Sequence, residues 1–187
     1  MKRAVILHGT DGSPEANWFP WLKEELKKLG YEVYVPNLPN NHTPNRHVYN
    51  DFLLKSGWDF SDNLVVGHSS GAVSILNMLS DKRFPKIDTG ILVGSWARMD
   101  ETDLDREQFK DLFPEPNFDF TAIKAKAYKL IFVHSDDDPY CPIDQARYLC
   151  NELAGEFHEF KGMQHFGVKL NPRFTEFPEL LEIIKRD

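Results

Sequence analysis

Short apolar runs of strand length alternate along this chain with segments whose apolar residues recur at helical spacing. That alternation admits few folds other than a parallel α/β sheet. The runs are Ala4 to Leu7, Tyr31 to Val35, Leu64 to Val66, Ile87 to Val93, Lys129 to Val133 and Glu156 to Phe160. Helical patterns fall at about Trp18 to Leu29, Arg46 to Lys55, Ala72 to Leu79, Ile143 to Leu153 and Pro178 to Lys185. Six such strands with right-handed crossovers and helices on both faces make a three-layer α/β/α sandwich. Local chemistry agrees: Pro20 falls in a first helical turn, Asn17 is a candidate cap for that helix, and Gly30 suits its stop. The 72–79 helix is apolar nearly all round and is expected to be buried.

The 187 residues form one domain, 1–187, long enough to bury roughly 70% of the surface its unfolded form exposes. A core of that size needs neither a metal nor a disulfide, so Cys141 and Cys150 read as reduced thiols of a cytoplasmic protein. No leader or membrane segment is expected, because only four apolar residues follow Met1-Lys2-Arg3 before His8-Gly9. With 22 Lys+Arg against 29 Asp+Glu, and no basic cluster, the chain lacks the stripe that nucleic acid requires. Lys23, Lys27 and Lys28 stand beside Glu24 and Glu25 and read as a solvated helix face.

One connection is too long to be a plain loop. Between the fourth and fifth strands, Ser95 to Ala127 must have structure of its own. Thr102 to Asp105 is expected to open a helix with Leu104, Phe109, Leu112 and Phe113 on one side, ended by Pro114 and Pro116. It is either a small lid or an excursion covering the sheet edge.

Chemistry concentrates after the third strand, where Gly67-His68-Ser69-Ser70-Gly71 fits G-x-S-x-G between a strand and a helix. In such a turn the serine is strained, and a side chain at either glycine would collide with closely approaching backbone. A serine hydroxyl is a weak nucleophile until a base takes its proton, so a histidine and an orienting carboxylate must follow. His165, after the last strand, is the best base. The carboxylate comes from Asp136-Asp137-Asp138, after the fifth strand, where only one side chain can reach an imidazole. Asp138 is preferred because Pro139 fixes the next φ and removes an N–H. Asp137 remains the second candidate and more plausibly supports the turn, and Asp136 is expected to be solvated. For a developing oxyanion the backbone N–H groups of Ser70 and Thr10 are the candidate donors. His8, His68 and His134 also fall at strand ends and are read as polar pocket or loop residues. His8, Gly9, Trp18, Trp96 and Phe166 are expected to line the substrate site, with Trp21 close by. Neither phosphate-loop pattern is present.

These residues resemble the α/β-hydrolases, and more narrowly the small YdeN-type serine hydrolases that include a retinoblastoma-binding member. The resemblance runs end to end, through His8-Gly9, Asn17-Trp18-Phe19-Pro20-Trp21-Leu22, Asn37-Leu38-Pro39-Asn40, Gly67 to Gly71, Asp137-Asp138-Pro139 and His165-Phe166. It implies a reduced hydrolase fold with strand order 2-1-3-4-5-6 and a Ser69, Asp138, His165 triad. The segment Asp138 to Pro142 resembles the family's acid turn, in which an aspartate precedes a proline by four positions. His134 stands where relatives tend to have a small residue, and is expected to alter the pocket wall without touching the triad. The nearest approach to L-x-C-x-E, Tyr148-Leu149-Cys150-Asn151-Glu152, has Tyr where Leu is needed, so no retinoblastoma-protein interaction is implied. The expectation is a cofactor-free serine hydrolase of small carboxylic esters, with thioesters or amides open to the same residues. The other reading is an interaction module of unknown partner that turns over little.

Overall fold

The computed structural model describes residues 2–100 and 103–186. Six strands, β1 (Lys2–Leu7), β2 (Tyr31–Tyr34), β3 (Leu64–His68), β4 (Ile87–Val93), β5 (Ala127–Ser135) and β6 (Glu156–Phe160), form one sheet in the order 2-1-3-4-5-6. Every pairing is parallel, so the carboxyl ends of all six strands share one edge. The principal helices are α1 (Phe19–Lys28), α2 (Arg46–Lys55), α3 (Ser70–Ser80), α6 (Ile143–Leu153) and α7 (Pro178–Arg186). This is a reduced α/β-hydrolase fold.

Alternation along the strands divides the core in two. Ala4 and Ile6, Leu64 and Val66, Ile91 and Val93, and Ile131 and Val133 pack with α1 and α7 on one face. Val5, Leu7, Val65, Leu92, Leu130 and Phe132 pack with α2, α3 and α6 on the other. Successive strand residues point to opposite faces, so a run apolar at every position is what a doubly covered sheet demands. The 72–79 segment is buried along its whole length, as its apolar circumference requires.

Three local expectations change. Asn17 is not the cap of α1: its backbone takes φ 50°, no side chain caps this helix, and its Oδ1 accepts the Val168 N–H at 3.0 Å instead. The helix expected from Thr102 begins outside the described residues, and only Arg106–Phe109 (α4) is helical. Leu104 is fully exposed, whereas Leu112 and Phe113 are buried beyond the helix. A further helix, α5 (Phe120–Ala125), capped by Asp119 through the Ala122 N–H, was not apparent in the sequence. The 95–127 connection is therefore partly core: Trp96, Leu112, Phe118 and Ile123 join the α3 face, and Asn77 donates to the Leu112 carbonyl at 2.8 Å.

The start of α3 is pressed against β1. A Cβ on Gly71 would lie 2.4 Å from the Leu7 carbonyl oxygen and 2.6 Å from that of His8, and one on Gly67 would lie 2.4 Å from the Gly71 oxygen. Backbone cannot yield as a side-chain tip can, so Gly71→Ala should cost about 3 kcal/mol or more. Gly30, at φ +85° with open space around it, provides the contrast, and Gly30→Ala should cost about 1 kcal/mol. Denaturant melts of the two variants test this, and equal losses would show that the approach of α3 to β1 is not tight.

Candidate active site

Ser69 joins β3 to α3 with φ 57° and ψ −126°, a conformation costly for a residue with a Cβ. It is held there from both sides: its N–H donates to the Val93 carbonyl at 2.9 Å, and its own carbonyl accepts from Ala72 N–H at 2.8 Å. The loop after β1 crosses close above, where a Cβ on Gly9 would come within 2.9 Å of the Ser69 Cβ. Thr10 Oγ1 donates to Ser70 Oγ at 2.9 Å and ties that loop to the first turn of α3. Ser69, Gly9, Thr10, Trp96 and His165 line one cleft of about 750 Å³ at the carboxyl edge of the sheet, where open α/β sheets place their ligands.

Consecutive residues from the last of β5 onward grip consecutive residues after β6. Asp136 Oδ1 accepts from Gly162 N–H at 3.0 Å, Ser135 Oγ from Met163 N–H at 2.9 Å, and Asp137 Oδ1 from Gln164 N–H at 2.8 Å. Asp138 Oδ2 then stands 2.7 Å from His165 Nδ1. The three aspartates thus share two tasks. Asp138 alone touches the imidazole, its other oxygen accepting the N–H groups of Tyr140 (2.9 Å) and Cys141 (3.0 Å). Asp136 is exposed, as expected, and also ties down the base loop, as Asp137 does. Beyond His165 the loop is anchored again, with Trp18 Nε1–H donating to the Phe166 carbonyl at 3.0 Å and Asn17 accepting from Val168. His68 Nε2–H donates to the carbonyl of His165 itself at 2.7 Å.

The electrostatics follow from burial. Desolvation alone would raise the Asp138 carboxyl, but the hydrogen bond and charge of His165, with the two backbone N–H groups, outweigh it and hold it below the usual carboxylate range. His68 is pushed down to about 3 by burial, with the neighbouring His165 adding to the fall. Burial also lowers His8 and His134.

Of the five residues expected to line the substrate site, Gly9 and Trp96 line this cleft. Trp18 and Phe166 are fully buried in the α1–α7 core, where Phe166 stacks on Phe177, Trp18 meets the same ring edge-on, and both brace the His165 loop. His8 is also fully buried, its Nδ1–H on the Gly9 carbonyl (2.8 Å) and its Nε2 accepting from Leu38 N–H (2.9 Å). Trp21 packs against the same core as Trp18. The cleft wall comes instead from the 95–127 connection, through Trp96, Met99, Leu104 and Phe109, and from Tyr140, whose ring meets His165 edge-on at 5.1 Å. His134, expected in the pocket wall, has no exposed surface and contacts the acid turn. Sequence reasoning missed the anchoring roles of Ser135 and Asn17, although the polar run Ser135 to Asp138 signalled a loop rich in acceptors.

Asp138, Cys141 and His165 bring a carboxylate oxygen, a thiol and an imidazole nitrogen within 4.8 Å of one another, a donor set able to hold a cation. Burial pushes the Cys141 thiol up, which disfavours the thiolate that metals bind, and the Asp138–His165 hydrogen bond already occupies the other two groups.

The buried histidines make stability sensitive to acid. His8, His68 and His134 have folded pKa values below the unfolded value of about 6.5, so on acidification the unfolded chain takes up protons first. Each therefore withdraws up to about 1.4 kcal/mol of stability per pH unit, beginning near pH 6.5, above the carboxylate range. Thermal melts from pH 7.5 to 5 should show Tm falling through that window. A flat Tm would mean that these imidazoles charge in place.

A family model described as serine hydrolase matches residues 4–186. The Bacillus subtilis (strain 168) hydrolase YdeN is 29% identical over 186 residues, covering 98% of this chain and 94% of that protein. The rat (Rattus norvegicus) serine hydrolase RBBP9 is 25% identical over 188 residues, with 98% and 94% covered. The crystal structure of the B. subtilis ydeN gene product superposes with a TM-score of 0.88 at 25% identity, covering 100% of this chain and 98% of that one. A carboxylesterase structure from Nitrososphaera gargenis shares the fold, with a TM-score of 0.74 at 14% identity over 98% of this chain and 88% of that one. From β1 to the end of α7, on an α/β-hydrolase fold, the chain belongs to the serine hydrolase family.

Proposed function

We propose that the protein hydrolyses small carboxylic esters through an acyl-enzyme on Ser69, with His165 as base and Asp138 as its orienting acid. The observation that carries this reading is the 2.7 Å contact of His165 Nδ1 with a buried carboxylate, made in the same cleft as a serine at φ 57°. An Nδ1–H committed to Asp138 leaves Nε2 as the imidazole's acceptor, the tautomer a general base needs. Ser69 Oγ attacks the ester carbonyl as its proton passes to Nε2. The oxyanion is received by the backbone N–H groups of Ser70, at the start of α3, and of Thr10, which the Thr10–Ser70 hydroxyl contact holds beside it. His165 then returns the proton to the leaving alcohol, and water repeats the sequence to release the acid. No step calls for a cofactor or a metal. Thioesters and amides would use the same groups.

The interaction-module reading has no specific observation in its favour. In the segment Tyr148 to Glu152, Leu149 and Cys150 are buried inside α6 and offer nothing to a partner. Among the described residues no helix is long and apolar enough to cross a membrane, and the proposed site of action is the cytoplasm, on a small ester.

Ser69→Ala should lower kcat by on the order of 10⁶ with little change in melting, and abolish labelling by a fluorophosphonate probe. Activity surviving in that variant would sink the reading. Asp138→Asn should lower kcat by about 10⁴ by imposing the wrong histidine tautomer. Asp137→Asn keeps an acceptor for Gln164 N–H and should stay within about tenfold of the parent; a loss confined to Asp137→Asn would refute the choice of acid. The 95–127 connection can form only a small lid and lends the cleft few apolar side chains, so short acyl chains should be preferred among p-nitrophenyl esters. A steep rise in kcat/KM from acetyl to dodecanoyl would contradict this.

A further inference from the structure

His134, near the end of β5, is a fully buried imidazole to which the proposed reaction gives no task. Its Nε2 lies 2.8 Å from the carbonyl oxygen of Cys141. A carbonyl only accepts, so the proton is on Nε2. The same Cys141 turns its N–H to Asp138 Oδ1 at 3.0 Å, beside the Tyr140 N–H at 2.9 Å. One residue is therefore gripped at its carbonyl by His134 and grips the acid with its amide. The ring also lies close to the acid's working oxygen, with His134 Nε2 3.8 Å from Asp138 Oδ2, too far for a hydrogen bond and near enough for charge to matter. The other ring nitrogen, Nδ1, is buried and has no hydrogen-bond partner among the described residues. A second proton would have to go there without an acceptor, so the site accepts only the neutral ring. The titratable and charged groups around it are Asp138 and Cys141 on the acid turn, His165 on the loop after β6, and Arg147 on α6.

We infer that His134 is a positioning residue for the acid: as a neutral Nε2–H tautomer it clamps the Cys141 carbonyl, and through Cys141 it holds Asp138 with one oxygen on backbone N–H groups and the other free for His165. The inference rests on the proposed Ser69, His165 and Asp138 roles. It differs from a packing role because the Nε2–H, not the ring's volume, carries the effect.

The test compares wild type with His134→Gln, which keeps an N–H at similar reach, His134→Leu, which keeps volume without a donor, and His134→Ala. The readouts are steady-state kinetics on p-nitrophenyl acetate and the downfield proton resonance of His165 Nδ1–H. His134→Leu and His134→Ala should lower kcat by about 10- to 100-fold, the scale on which small misplacements act, with KM within about twofold, and should move or broaden the downfield resonance. His134→Gln should recover most of the loss. A Leu variant with the kcat and resonance of wild type reduces His134 to packing and overturns the inference. Wild type that neither hydrolyses esters nor reacts with a fluorophosphonate overturns the underlying reading instead. Histidine ¹⁵N shifts of the folded wild type need no variant: His134 should remain the neutral Nε2–H tautomer from about pH 8 to 5.5. The Nδ1–H tautomer, or titration near the unperturbed value of about 6.5, would overturn the inference.

Discussion

The backbone of α3 begins so close to the ends of β1 and β3 that no side chain fits between them, and the geometry of the cleft is measured from that contact. Gly71 against the Leu7 and His8 carbonyls, and Gly67 against Gly71, leave the connecting residue little choice of conformation. Ser69 accordingly sits at φ 57°, with its N–H on β4 and its carbonyl inside the first turn of α3. The strain is local and is offset by burial of a helix that is apolar on every side. Because the helix starts at this point, the positive end of its dipole lies next to Ser69, which lines the cleft.

The other half of the site depends on strand register. Ser135 on β5 pairs with Phe160 on β6, so the two chains leave the sheet together and their next residues run side by side. Side chains from 135 to 138 can then satisfy the amides from 162 to 164 and finally the ring of His165. β6 is an edge strand with no neighbour beyond it, so its outgoing loop gets no support from the sheet on that side. The polar ladder holds that loop from the β5 side, and Trp18 and Asn17 hold it from the α1 side.

This division explains what was legible in the sequence. The sheet and the position of Ser69 could be read because each rests on a short-range pattern: apolar runs of strand length alternating with helical spacing, glycines two residues either side of a serine, an apolar helix; the strand order is long-range and came from the family resemblance alone. Asp138 is preferred over Asp137 through its proline and the family's acid turn, and of the two it is the one whose carboxylate lies 2.7 Å from His165 Nδ1. Trp18, Phe166 and His8 were placed in the cleft because they neighbour its residues in sequence, yet a large ring at a loop's root turns inward whenever the core has room, and these do. The 103–113 segment carries apolar residues at helical spacing, but its carbonyls are taken by other elements, Asp111 and Phe113 accepting from Arg46. A long-range partner of this kind leaves no periodic trace.

Three imidazoles, those of His68, His134 and His165, lie together beside Asp138, and the proposed mechanism has only His165 take the serine's proton. His68 is centred 4.8 Å from His165, and His134 lies beside the Asp138 carboxylate. Were either as basic as a solvated histidine, it would be partly charged near neutral pH and would compete for Asp138 or repel the imidazolium forming at His165. Both are committed instead as N–H donors to carbonyls, of His165 and Cys141 respectively, and burial keeps both neutral. Each neutral ring braces one of the two loops that carry His165 and Asp138. His165 differs from them in facing the cleft and in having a carboxylate at Nδ1, so a positive charge formed on it meets a fixed negative one. Selective protonation therefore follows from which imidazoles have been given carbonyls and which one has been given a carboxylate.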